Sequence, residues 1–153
     1  MKLFEWLLGK SDMNKENKVW TLIFSAWFVA GISTLGSLFF SEIMKLPPCT
    51  LCWYQRIFMF PLSLILPLGL FPLDKNVVRY ALILSAAGLL IAFFHLLLAA
   101  GVIPESIQPC RQGIPCSKTV ISWFGFVTIP FLSMLSFLVI VVLLVLTYFQ
   151  RLK

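Results

Sequence analysis

The sequence predicts an all-α membrane protein: a four-transmembrane-helix bundle, residues 1–153 forming one integral membrane domain with cytoplasmic N- and C-termini. Three observations carry this expectation. Of the 153 residues, 60% are hydrophobic and only 12% are charged, whereas soluble domains stand nearer half apolar with about a quarter charged. Four apolar runs are long enough for the roughly 20 helical residues that cross a bilayer. The basic residues are also shared unequally among the segments joining those runs.

The expected spans are 19–40, 53–71, 77–100 and 126–149, with Arg56 and Arg79, both near span edges, the charged residues inside them. The first apolar stretch exceeds the 7–15 residues of a signal peptide's apolar region, so it is expected to be retained. Before it, "LFEWLLGK" reads either as a segment on the membrane surface anchored by Trp6 or as a loose end. Ala26, Ala30, Ser33 and Ser37 place small residues at helical spacing on span one. Such residues let membrane helices approach closely, which is favoured over a cofactor groove. Pro61 and Pro67 interrupt span two, and membrane helices tolerate such interruptions. "PLDKN" is a tight turn that makes spans two and three antiparallel neighbours. The third connection, 101–125, has room for structure: "IPESIQPC" is rich in turn signals and "VISWFGF" suits the interface.

The charges orient the bundle. Lys2, Lys10, Lys15, Lys18, Lys75, Arg79, Arg151 and Lys153 fall on one side, and Lys45, Arg56, Arg111 and Lys118 on the other. The more basic side is expected to be cytoplasmic. The net charge of +6 thus decorates membrane edges, and no nucleic-acid partner is expected. All four cysteines, Cys49, Cys52, Cys110 and Cys116, lie in or beside the two outer connections. Disulfides persist in oxidising compartments, so cysteine placement agrees with charge bias.

The chemistry concentrates in "PPCTLCWYQR", residues 47–56. Pro47 and Pro48 suit a helix about to start, which puts Cys49 near the N-terminus of span two. Steps of about 100° per residue turn Cys49, Cys52 and Arg56 to one side. Helix N–H groups and a nearby guanidinium stabilise a thiolate, and stabilising the reduced form makes a disulfide more oxidising. The pair therefore reads as redox-active. A zinc site or a structural disulfide is the plainer alternative. Zinc knuckles usually pair two CxxC elements, and the second pair here is CRQGIPC, so no metal is expected. Cys110 and Cys116 flank Gly113 and Pro115, which allow a compact turn. Two neighbouring pairs make a thiol-exchange relay. The chain lacks haem, flavin, nicotinamide and iron–sulfur motifs, and a lipid-soluble quinone fits as final acceptor. Arg56 is the candidate to hold a quinone oxygen. His95, the single histidine, is a second candidate contact, with a plain carbonyl bond as its bland reading.

"CTLCWYQR" opening the second of four spans, with a cysteine pair in the last outer loop, resembles the disulfide bond formation protein B family over nearly the whole chain, in its compact branch. The resemblance implies a four-helix membrane bundle acting as a quinone-dependent thiol oxidase of the bacterial cytoplasmic membrane. It also implies that the enzyme reoxidises a soluble thioredoxin-fold thiol oxidase serving exported proteins. By position, Cys49 and Cys52 match the quinone-proximal pair and Arg56 the quinone-binding arginine. Cys110 matches the cysteine attacked by the partner, Cys116 the one exchanging with the membrane-edge pair, and His95 a histidine near the quinone. The acceptor would be menaquinone or ubiquinone. Two departures stand out. Five residues separate Cys110 from Cys116, where the best-known members have a much longer segment, and Gln55 replaces an acid found in some members. A vitamin K epoxide reductase-type oxidoreductase, which carries its CxxC in a late span, and a scaffold with structural disulfides are the rival readings.

Overall fold

A computed structural model of the chain describes residues 2–46, 48–71, 74–107, 122–123 and 127–152. Helix α1 runs Lys2–Leu38 and passes into a π-helical turn, Phe39–Ile43; α2 is Thr50–Leu68, α3 Lys75–Ala99 and α4 Ile129–Leu152. Within them, Met13–Ile43, Thr50–Leu68, Asn76–Ala99 and Ile129–Gln150 are long and apolar enough to cross a membrane.

The boundaries differ from expectation where local chemistry intervenes. Span two starts at Thr50 rather than 53, because Cys49 caps the helix directly after Pro48. Span four starts at Ile129 rather than 126. The residues just before it form β2 (Val127–Thr128), which pairs antiparallel with β1 (Ser122–Trp123), two residues each, beside the four helices. The backbone around Trp6 is helical and continuous with α1. Asp74, whose side chain accepts from the Asn76 N–H at 2.9 Å, starts α3.

Cross-helix pairs set the arrangement. Ser37 meets Arg56 while Trp27 meets Ser63, so α1 and α2 run antiparallel. Cys49 meets His95 near the other end of α3, and Gly69 abuts Val77, so α2 and α3 are antiparallel as well. Gly88 faces the Phe137 ring and Arg79 lies over Tyr148, which fixes α4 against α3. Helix α4 also packs on α1, closing an up-down-up-down ring.

The core is a set of helical stripes. On α2 it is Leu51, Gln55, Met59, Leu62 and Leu66; on α3 it is Val78, Ala81, Ser85, Ala92, His95 and Leu98. The outward faces are equally apolar, with Leu35, Leu64, Ile83 and Leu90 exposed, as lipid contact requires. One polar device makes the proline-broken α2 tolerable. Pro67 lacks the N–H that would bond the Ser63 carbonyl four residues earlier. The Trp27 indole N–H on α1 donates to that carbonyl at 3.0 Å, so no backbone acceptor is stranded there.

Candidate functional site at the mouth of helix two

Cys49 is the N-cap of α2. Its backbone is extended (φ −69°, ψ 165°), and its Sγ accepts from the Cys52 N–H at 3.3 Å. A helix leaves its first N–H groups without intrahelical partners, and here a sulfur takes one of them. The same turn brings Cys52 Sγ to 2.6 Å from Cys49 Sγ, longer than the ~2.05 Å of a closed disulfide. Both thiols are free and half-buried.

The wall opposite comes from α3. His95, 2% exposed, points Nε2 at Cys49 Sγ from 3.7 Å. Its other ring nitrogen, Nδ1, faces the Gln55 carboxamide nitrogen at 3.0 Å. Gln55 and His95 are the polar members at the same end of two apolar stripes, where burial without a partner would be costly. Leu51 and Leu98 close the site, with Ile91, Phe94 and Ile103 packed around them.

The Cys49 thiol is pulled from its ordinary 9.0 to about 4. The hydrogen bond from Cys52 is the largest cause; His95 and the Cys52 N–H add to it, and burial opposes them. The sulfurs of Cys49 and Cys52 and the ring of His95 also lie within the 4.8 Å that a metal cluster needs.

Arg56 acts on Cys52 through its charge, as expected, while its hydrogen bonds go to α1. Its Nε donates to Ser37 Oγ and its Nη2 to the Ser37 carbonyl, both at 2.7 Å, and the guanidinium lies 5.5 Å from the Trp53 ring centroid. Among the described residues it makes no hydrogen bond to either cysteine; the group that touches Cys49 from another helix is His95. Cys110 and Cys116 lie outside the described residues.

Sequence reasoning missed two residues. Ser37, one of the small residues at helical spacing, accepts from Arg56. Gln55 meets His95, and a carboxamide three positions after Cys52 on an otherwise apolar stripe is the signal of such a buried partner.

Together these features define a multi-pass helical membrane protein with a thiol pair at one end of its bundle. Residues 16–147 match the family model described as "Disulfide bond formation protein DsbB". The chain is 47% identical over 120 residues to "Disulfide bond formation protein C" of Bacillus subtilis (strain 168), covering 78% of this chain and 87% of that protein. It is 47% identical over 127 residues to "Probable disulfide formation protein" of Metapseudomonas resinovorans (82% and 88% covered). It is 42% identical over 130 residues to "Probable disulfide formation protein C 1" of Bacillus anthracis (85% and 94%). No solved structure matches it. The chain belongs to the disulfide bond formation protein B family.

Proposed function

We propose that this chain is a membrane thiol:quinone oxidoreductase that reoxidises a thioredoxin-fold dithiol oxidase outside the cytoplasm, and so supports disulfide formation in exported proteins. It would sit in the bacterial cytoplasmic membrane with both termini inside and the cysteine connections outside, as the basic residues favour. The observation that carries the reading is Cys49 Sγ, 2.6 Å from Cys52 Sγ and 3.7 Å from His95 Nε2 at a helix N-terminus.

The steps balance. The partner's two thiols reduce the Cys110–Cys116 disulfide by exchange through a mixed disulfide, and the partner leaves oxidised. A loop thiolate then attacks one sulfur of a Cys49–Cys52 disulfide; a new S–S bond forms and the old one breaks. The second loop thiol resolves the mixed disulfide. Each exchange moves one electron pair, and the thiol protons pass to the departing thiolates or to solvent. Stabilising the Cys49 thiolate favours the reduced pair, which makes its disulfide a strong electron acceptor.

A membrane quinone, menaquinone or ubiquinone, supplies the final two-electron acceptor when bound. The residues at this end of the bundle fit such a carbonyl-bearing ligand. A guanidinium carries five N–H donors, and Ser37 accepts from two of its nitrogens. One turn before Ser37, the buried Thr34 Oγ1 has no partner among the described residues. Arg56 and Thr34 would hold the quinone oxygens. His95 has both ring nitrogens engaged, so its part is to hold the thiol pair.

The test is purified protein given a reduced thioredoxin-fold partner and a quinone. Partner oxidation and quinone reduction should proceed together, and Cys52→Ser should abolish quinone reduction. An unchanged rate in that variant would refute the assignment.

A further inference from the structure

We propose that Gln55 is a positioning residue that sets the tautomer of His95, keeping the ring proton on Nε2 where it is donated to the Cys49 sulfur. The inference rests on the proposed function only in taking Cys49–Cys52 as the reacting pair; it needs no quinone.

A carboxamide nitrogen carries two hydrogens and accepts none, whereas a neutral imidazole carries a single N–H. Gln55 Nε2 stands 3.0 Å from His95 Nδ1, so Nδ1 must offer its lone pair and the ring proton must sit on Nε2. That nitrogen faces Cys49 Sγ at 3.7 Å. The chain of donors runs one way: Gln55 to His95, then His95 to the sulfur. Both are buried, Gln55 at 7% and His95 at 2% exposure, so each depends on the other as polar partner. The opposite tautomer would turn a bare lone pair toward Cys49, accept the thiol's proton as a hydrogen bond and favour the neutral S–H. Gln55 therefore decides, through the ring it shares with the sulfur, whether Cys49 meets a donor or an acceptor. The partner of the histidine's second nitrogen sets tautomers in the same way elsewhere.

The other groups near Cys49 do not substitute for this chain. Among the described residues, Cys52 on α2 and His95 on α3 are the ionisable groups acting on Cys49, and Arg56 acts on Cys52. Glu42 and Lys45 on the preceding turn are exposed.

The chain contains one histidine, so 15N-histidine labelling reports one ring. In reduced, quinone-free protein, Nδ1 should resonate as the lone-pair nitrogen and Nε2 as the protonated one. In Gln55→Met the two signals should move toward each other as the tautomers mix. The pH profile of Cys49 alkylation should also shift upward by about one to two pH units, a ten- to hundredfold loss of thiolate at a given pH, as expected for losing a hydrogen bond to a charged group. A protonated Nδ1 in the unmodified protein would overturn the proposal without any variant having to fold. So would a Gln55→Met alkylation profile superimposed on that of the parent. Neither measurement contains quinone, so a failure of quinone reduction leaves both readable, and a wrong tautomer leaves the quinone assay unaffected.

Discussion

Arg56 grips Ser37 at two atoms, side-chain oxygen and backbone carbonyl, each at 2.7 Å. The contact joins the first turns of α2 to α1 at the point where α1 passes into its π turn, Phe39–Ile43. Short π segments inside helices are frequent at functional sites. A guanidinium reaches both acceptors because its donors form a rigid fork, which an ammonium lacks.

Arg56→Lys should therefore keep the charge and lose the grip. We expect kcat/KM for quinone to fall about tenfold or more, the equivalent of one charged hydrogen bond, in steady-state assays with saturating dithiol partner. Activity within twofold of the parent would show that charge alone suffices.

The Cys49 thiol, drawn from 9.0 to about 4, predicts an unusual pH response. A lowered value means the thiolate persists as pH falls. The stabilisation it lends the folded, reduced protein is complete above 9.0, declines with falling pH and is gone below about 4. Iodoacetamide labelling of Cys49 should be nearly as fast at pH 6 as at pH 8 and drop only below pH ~5, whereas an ordinary thiol loses about tenfold per unit below its value near 8.5. Mass spectrometry of labelled peptides across that range is the check.

The Trp27–Ser63 bond predicts a coupled pair of substitutions. Trp27→Phe should cost about 1–3 kcal/mol by stranding the Ser63 carbonyl. Pro67→Ala restores the N–H that the helix lacks at that carbonyl, so in its background the cost of Trp27→Phe should shrink to the lost ring area. Unfolding in mixed detergent, analysed as a double-mutant cycle, measures the coupling; strict additivity would dismiss it.

Gly88 predicts a steric limit. A Cβ there would clash with the Phe137 ring, so α3 and α4 touch backbone to aromatic ring. Gly88→Ala should destabilise the bundle by about 1–3 kcal/mol through overpacking, and Phe137→Leu should restore part of the loss. Thermal unfolding of the single and double variants decides it.

Four helices, the helix start beside Pro48 and the thiol pair within one turn were all legible in the chain, because hydropathy, proline and i, i+3 spacing act along the sequence. Even there, the sequence places the fourth helix three residues early, since the pairing of Ser122–Trp123 with Val127–Thr128 is a contact between separate stretches of chain. What tertiary structure alone decided is which polar group meets which: His95 rather than Arg56 against Cys49, Ser37 beneath Arg56, Gln55 behind His95, Trp27 on the carbonyl that Pro67 leaves open. The physical reason is that a membrane helix is apolar on all sides. Its sequence constrains its length well and its rotation poorly, and each of these contacts depends on how neighbouring helices are turned and slid against one another.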